Sequence, residues 1–180
     1  IISGPIIFFL ILFLNSYFLS LFLFLLACIS DYLDGYLARK YNLTSIVGEI
    51  MDPIADKILI VFLIMALALH LNSPFIGFAG GIMLAREFWV SALRDLNARM
   101  SDTQATAVTF LAKIKTSIQM FALFGYLLGI STNIVLIIFI SHFIYFLAFL
   151  ITLYTGLEYT KASFRGRDFF KYSEGFLKKE

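Results

Sequence analysis

Four aspartates are the residues whose type and spacing could do chemistry in this sequence. Asp31 and Asp34 lie three apart, and Asp52 and Asp56 four apart. On a helix, positions three or four apart share one face, so each pair presents two carboxylates side by side. A short polar stretch at 40–44 separates the pairs, which predicts two antiparallel neighbouring helices whose acidic faces converge. Carboxylates brought together repel one another unless they are protonated or neutralised by cations. An all-oxygen ligand set suits a hard divalent ion, Mg²⁺ or Mn²⁺, and not zinc, which prefers His and Cys. Two such ions bridged by a carboxylate is the arrangement used for displacement at phosphorus. Plainer readings exist: Asp52-Pro53 could open a helix as N-cap and N1, and Asp31 and Asp34 could pair with Arg39 or Lys57. Neither accounts for four acids on two faces.

The elements that must hold these acids are membrane helices. The chain has 180 residues, 61% hydrophobic and 14% charged, with a mean hydropathy of +0.90. Soluble domains are about 45–50% apolar and about 25% charged, so a water-soluble globule is excluded. The net charge of +2 carries no nucleic-acid signature, and the single Cys28 can form no internal disulfide. Charged residues are absent from 1–30, 58–85 and 116–157, and each silent stretch is broken by turn-formers: Asn15-Ser16, Asn72-Ser73-Pro74 and Ser131-Thr132-Asn133. Each reads as a helical hairpin. The expected fold is therefore all-α, with six membrane helices near 1–14, 16–40, 45–70, 75–99, 105–130 and 133–160. Residues 1–160 form one transmembrane domain, and 161–180 a basic tail lying along the cytoplasmic leaflet. The first apolar run has 14 residues, short of the roughly 20 that span a bilayer, so part of the first helix is expected to lie upstream.

All 14 Lys and Arg fall at one end of the hairpins. By the positive-inside rule that end, with both termini, faces the cytoplasm. Asp56 lies 16 residues from the turn at 72, ~24 Å of helix against a hydrocarbon core of about 30 Å. It therefore reaches inside the boundary, and Arg86, ~20 Å from Ser73 by the same rise, is deeper. Intramembrane charges face a cavity rather than lipid, so a polar cavity open to the cytoplasm is expected. Gly35 and Gly48, costly in mid-helix, permit close approach of a phosphate or of a neighbouring helix.

The run Asp31-x-x-Asp34-Gly35-x-x-Ala38-Arg39, eight residues, then Gly48-x-x-x-Asp52-x-x-x-Asp56 resembles the signature of the CDP-alcohol phosphatidyltransferase family at every fixed position. The segments L-A-R-E-F-W-V-S-A-L-R at 84–94 and L-A-K-I-K-T-S-I-Q-M at 111–120 are similar to the bacterial branch whose acceptor is sn-glycerol 3-phosphate. The resemblance implies a six-helix enzyme, usually homodimeric, in the bacterial cytoplasmic membrane. It would displace CMP from CDP-diacylglycerol with Mg²⁺ or Mn²⁺, two ions in all. It implies Asp31, Asp34, Asp52 and Asp56 at the metal site, with Asp56 also the base. Gly35, Ala38, Arg39 and Gly48, with Asp31 and Asp34, would line the CDP-diacylglycerol site. That family's usual start, with an Arg entering helix one, is absent.

An acceptor that carries phosphate needs cations away from the metals, and Arg86, Lys115, Lys113 and Arg94 are the candidates, in that order. Arg86 and Arg94 are ~80° apart around a helix, Lys113 and Lys115 ~200°; Lys115 shares a stripe with Gln119. Each could instead snorkel to head groups, and Glu87 balances its neighbouring cations. The alternatives are other acceptors (serine, inositol phosphate or phosphatidylglycerol) and a divalent-cation transporter, although a transporter needs polar residues through the outer half as well. His70, His142, Trp89 and the tyrosines read as packing and interface residues.

Overall fold

The computed structural model describes residues 2–41, 46–99 and 110–164; the side chains at 38, 39, 46–50, 52, 53, 99 and 110–113 lie outside the described set. Six helices follow one another: α1 (Ser3–Leu12), α2 (Tyr17–Tyr41), α3 (Ile46–His70), α4 (Pro74–Arg99), α5 (Phe110–Thr132) and α6 (Val135–Phe164). Four of them, α2, α4, α5 and α6, are long and apolar enough to cross a membrane. In α1 only 10 residues are helical. In α3, Glu49, Asp52, Asp56 and Lys57 occupy the first half, leaving an uncharged run from Ile58 to Leu69 of ~18 Å. Helix α6 runs to Phe164, past the expected end near 160; the tail beyond it lies outside the described residues. Since α3 begins at Ile46, Asp52-Pro53 sits inside a helix and does not open one.

The three turns at the uncharged ends share one device. Asn15, Asn72 and Asn133 have φ of 50°, 47° and 57°, the left-handed conformation that ends helices and that Asn tolerates better than other residues with a side chain. Past each asparagine the chain closes back on the preceding helix: Ser73 N–H donates to Ala68 O at 3.0 Å and Ile134 N–H to Gly129 O at 3.2 Å, a Schellman-type closure. The dipeptides and tripeptides that broke the apolar runs are thus the turns.

The helices form a closed ring in the order α1, α2, α5, α6, α4, α3, with α3 and α5 also touching across the middle. Two four-helix compartments result, α1–α2–α5–α3 and α3–α5–α6–α4, sharing the α3–α5 seam. The expectation that α2 and α3 pack directly as neighbours is corrected here. Among the described residues α2 packs on α1 and α5, so it stands diagonally across its compartment from α3. Facing acidic helices repel at contact distance, and the diagonal leaves space between them.

Away from the acids the interior is apolar and tightly filled. Ile7 and Ile11 of α1, Phe24 of α2, Leu63 and Leu67 of α3, Ile76 and Met83 of α4, and Leu123 and Leu127 of α5 are all buried in one cluster. Helix α6 buries its small and hydroxylated positions, Ser141, Ala148, Thr152, Thr155, Gly156 and Ser163, and exposes Phe139, Phe143, Phe146, Tyr154 and Leu157. That is the reverse of a soluble helix and suits a lipid-facing one, where small residues let backbones approach. Thr152 and Ser141 satisfy their hydroxyls on the carbonyls of Ala148 and Ile137, each at 2.7 Å. On α5, Gly125 and Gly129 meet this face: a Cβ at 129 would stand 2.6 Å from Ile138 Cγ1 and 3.1 Å from Ile138 N.

Gly129→Val is therefore expected to lower stability by about 1–3 kcal/mol, the usual range for overpacking. A fall in the thermal midpoint of the purified protein in detergent reads this; an unchanged midpoint would show that the α5–α6 hairpin does not need the glycine.

Candidate active site

Three of the four signature aspartates surround one cavity. Asp31 and Asp34 reach it from α2, Asp56 and Ala55 from α3, and Ser3 from α1, and its volume is about 610 Å³. Leu23, Leu26 and Leu59 give it an apolar side. A second cavity of about 270 Å³ is lined by Cys28 and Asp31 of α2, Asp56 of α3, and Thr116 and Ser117 of α5. A third, of about 180 Å³, lies in the other compartment and is lined by Asp56, Lys57, Glu87, Thr116 and Gln119. Half-buried Asp56 borders all three, because it occupies the wall between the compartments. Residue 56 lies in the last turn of α3 before the uncharged run, next to the α3–α5 seam.

Asp31, Asp34 and Asp56 offer only oxygen donors, which fits a hard divalent cation. Among the described residues no three acids, histidines or cysteines are gathered closely enough to hold an ion. Asp52, one helical turn before Asp56, falls outside the described side chains, as do Ala38, Arg39, Gly48 and Lys113. Half-buried Gly35 follows Asp34 on α2. Three acids thus border a common space, and the fourth lies one turn away on a helix that already reaches it.

The cations sit elsewhere. Arg86 and Arg94 share a face of α4, as eight-residue spacing requires, but that face meets α6, and neither lines the three cavities. Arg86, 8% exposed, donates from Nη2 to Thr155 Oγ1 at 2.8 Å. Its guanidinium lies 5.6 Å from the centre of the Tyr159 ring, and its stem passes Gly156, where a Cβ would come within 2.9 Å of Arg86 Cγ. Arg94 lies 5.3 Å from the same ring and donates from Nη2 to Tyr159 Oη at 3.4 Å. Further along the seam, Asn97 Nδ2 donates to Ser163 Oγ at 3.1 Å, and Trp89 Nε1 to Thr160 Oγ1 at 2.9 Å. Lys115, 3% exposed, pairs with Glu87, whose Oε1 also lies 3.6 Å from Arg86 Nη1. Glu87 balances two cations, as its neighbours suggested.

Sequence reasoning passed over Lys57 as a lining residue. Its Nζ donates to Ser91 Oγ at 3.3 Å and lies 5.3 Å from the centre of the Phe88 ring, and its place beside Asp56 was the available signal. Thr155, Gly156 and Tyr159 had no signal at all, since only the packing of α4 on α6 brings them to Arg86. The histidines are packing residues: His70 lies against Tyr17 with ring centres 4.8 Å apart and tilted by 50°, and His142 lies 5.1 Å from Tyr126.

Because one ring serves two guanidiniums, Tyr159→Leu is expected to destabilise the protein by about 1–2 kcal/mol, the range for partly desolvated cation–π contacts. Tyr159→Phe, which keeps the ring, should retain most of that. Equal thermal midpoints for the Leu and Phe variants would show that the ring contacts contribute nothing.

Comparison with known proteins agrees with this geometry. The family model for CDP-alcohol phosphatidyltransferase matches residues 1–154. A protein of Wigglesworthia glossinidia brevipalpis is 40% identical over 126 residues, 70% of this chain and 69% of its own length. One from Rickettsia bellii is 41% identical over 145 residues, covering 80% and 78%, and one from Shigella flexneri is 33% identical over 148 residues, covering 82% and 80%. All three are named CDP-diacylglycerol–glycerol-3-phosphate 3-phosphatidyltransferase. An oxygen-only acidic cavity walled by α2 and α3, the signature that supplies it, and a match over most of the chain lead to one conclusion: this multi-pass membrane protein belongs to the CDP-alcohol phosphatidyltransferase family and is a transferase.

Proposed function

We propose that this protein transfers the phosphatidyl group of CDP-diacylglycerol to sn-glycerol 3-phosphate, giving phosphatidylglycerophosphate and CMP. The observation that carries the reading is the position of Asp56, which borders both the large acidic cavity and the smaller one on the other side of α3. A lipid donor and a soluble acceptor must meet at a carboxylate open to both. The relatives' names support the choice of substrates.

The bond formed joins the acceptor's 1-hydroxyl oxygen to the lipid's β-phosphorus; the bond broken is from that phosphorus to the oxygen bridging to CMP. Asp56 takes the hydroxyl proton, a role that requires hydrogen-bond reach. Asp31, Asp34, Asp52 and Asp56 would hold Mg²⁺ or Mn²⁺, two ions. When bound, the ions neutralise charge on the diphosphate as CMP departs. Gly35, Ala38, Arg39 and Gly48, with Asp31 and Asp34, receive the CDP part. The apolar side formed by Leu23, Leu26 and Leu59 suits the first part of the lipid. Arg86, Lys115 and Lys113 supply positive charge for the acceptor's phosphate, the Glu87 pairing linking the first two to the smaller cavity, while Arg94, held against Tyr159, acts only from a distance. In this reading all six helices cross or enter the bacterial inner membrane. The cavity and both termini face the cytoplasm, the basic tail lies on that leaflet, and the enzyme works as a homodimer.

Purified protein with CDP-diacylglycerol, glycerol 3-phosphate and Mg²⁺ or Mn²⁺ should form phosphatidylglycerophosphate, and excess chelator should abolish the product. Turnover of serine or inositol phosphate with none of glycerol 3-phosphate would refute the acceptor. Asp56→Asn should lower kcat by about 10²-fold or more, in the range of lost general-base catalysis, with the KM for CDP-diacylglycerol changed much less; a wild-type kcat would remove Asp56 from proton transfer.

A further inference from the structure

Glu87 stands where the cation seam and the smaller cavity meet. Its carboxylate pairs with Lys115 Nζ and lies 3.6 Å from Arg86 Nη1, while its side chain lines the 180 Å³ cavity that Asp56 also borders. Both cations are more than nine-tenths buried, at 3% and 8% exposure. Thr155 takes Arg86 Nη2, leaving the Nη1 edge toward Glu87. Apart from that ion pair, Lys115 Nζ has no partner among the described residues. Among the described residues the ion pairs set one carboxylate, Glu87, against two buried cations, where screening is weak. Glu87, 29% exposed, is the member that can swing away, because its carboxylate already reaches the cavity side.

We infer that the Glu87 carboxylate is an internal stand-in for the acceptor's phosphate: a small phosphomonoester entering the cavity displaces it and takes over Lys115 and the Nη1 edge of Arg86. The inference rests on the reading that the acceptor is a glycerol phosphate. A phosphomonoester carries about −1.5 to −2 charges near neutrality against one for the carboxylate, so the exchange neutralises the two cations more fully. Thr116 and Gln119 line the space between. An acceptor anchored at the seat of Glu87 has its free hydroxyl toward Asp56 in the same cavity. The seat is thus kept folded around an anion of the chain's own, which leaves when the substrate arrives.

The test is Glu87→Gln, which keeps the shape and removes the charge. The KM for glycerol 3-phosphate should fall about 3–10-fold, because a seat held closed by its own carboxylate weakens apparent affinity by the fraction open. The KM for CDP-diacylglycerol should not move. The variant's thermal midpoint in detergent should drop, and inorganic phosphate or glycerol 3-phosphate should raise it by more than they raise the wild type's. A merely structural Glu87 would give lower stability with an acceptor KM unchanged or raised and no extra rescue by phosphate, and that result overturns the inference. Extra stabilisation by CDP-diacylglycerol alone would assign the seat to the donor and overturns it too. If the Gln variant does not fold, Glu87→Asp, whose shorter arm loosens the pair, should lower the acceptor KM about 2-fold; an unchanged or higher KM overturns it. If the wild type does not use glycerol 3-phosphate at all, the acceptor reading fails, while the response of the variant to inorganic phosphate still decides the stand-in.

Discussion

Charge held inside a helical membrane bundle is stable only beside opposite charge or open polar space, and the arrangement of the six helices follows from that constraint. The acids on α2 and α3 share one sign, so they cannot line a packed helix–helix interface. The ring solves this by placing α2 and α3 at opposite corners of a four-helix compartment, with α1 and α5 closing the sides. The cations of α4 and α5 are instead taken out of that compartment. Arg86 and Arg94 lie along the α4–α6 seam against Thr155 and the Tyr159 ring, and Lys115 pairs with Glu87. The signature acids of α2 and the cations Arg86, Arg94 and Lys115 thus lie in different compartments, and the shared wall between them carries Asp56.

The rest of the bundle makes this sorting rigid. Three asparagines in left-handed conformation end α1, α3 and α5 at the uncharged side, so each hairpin turns in a few residues without a polar loop. Small residues on α5 and α6 let those helices lie nearly backbone to backbone, and buried hydroxyls there close on their own helix. At Gly4, α1 comes equally near: a Cβ would lie 3.1 Å from Ile58 O and 3.1 Å from Leu59 Cα of α3. That contact is two residues past Asp56.

Much of this was legible in the sequence. The charge-free stretches and their interruptions gave six helices, and the ends that fall on described residues are correct to within a few residues, because turn chemistry and helix length act locally; the expected start at 105 lies outside the described residues. The aspartate spacing marked the acidic cavity for the same reason, since three- and four-residue steps define a helix face whatever the fold. What could not be read was which helix lies beside which. The short link between α2 and α3 suggested direct packing, yet connection length constrains only the joined ends. The arginines on α4 were legible as a pair on one face, but not the direction of that face, which depends on the position of α6. Tyr159 and Gly156, some seventy residues further along the chain, could be joined to Arg86 only in three dimensions.

The common partition of the two compartments has a mechanical consequence. Helix α3 is packed by α1 on one flank and by α4 on the other, so a lean of that helix that opens one compartment closes the other. Aliphatic residues far from the acids, such as Leu63 and Leu67, are fully buried and so fix where that helix rests between its neighbours.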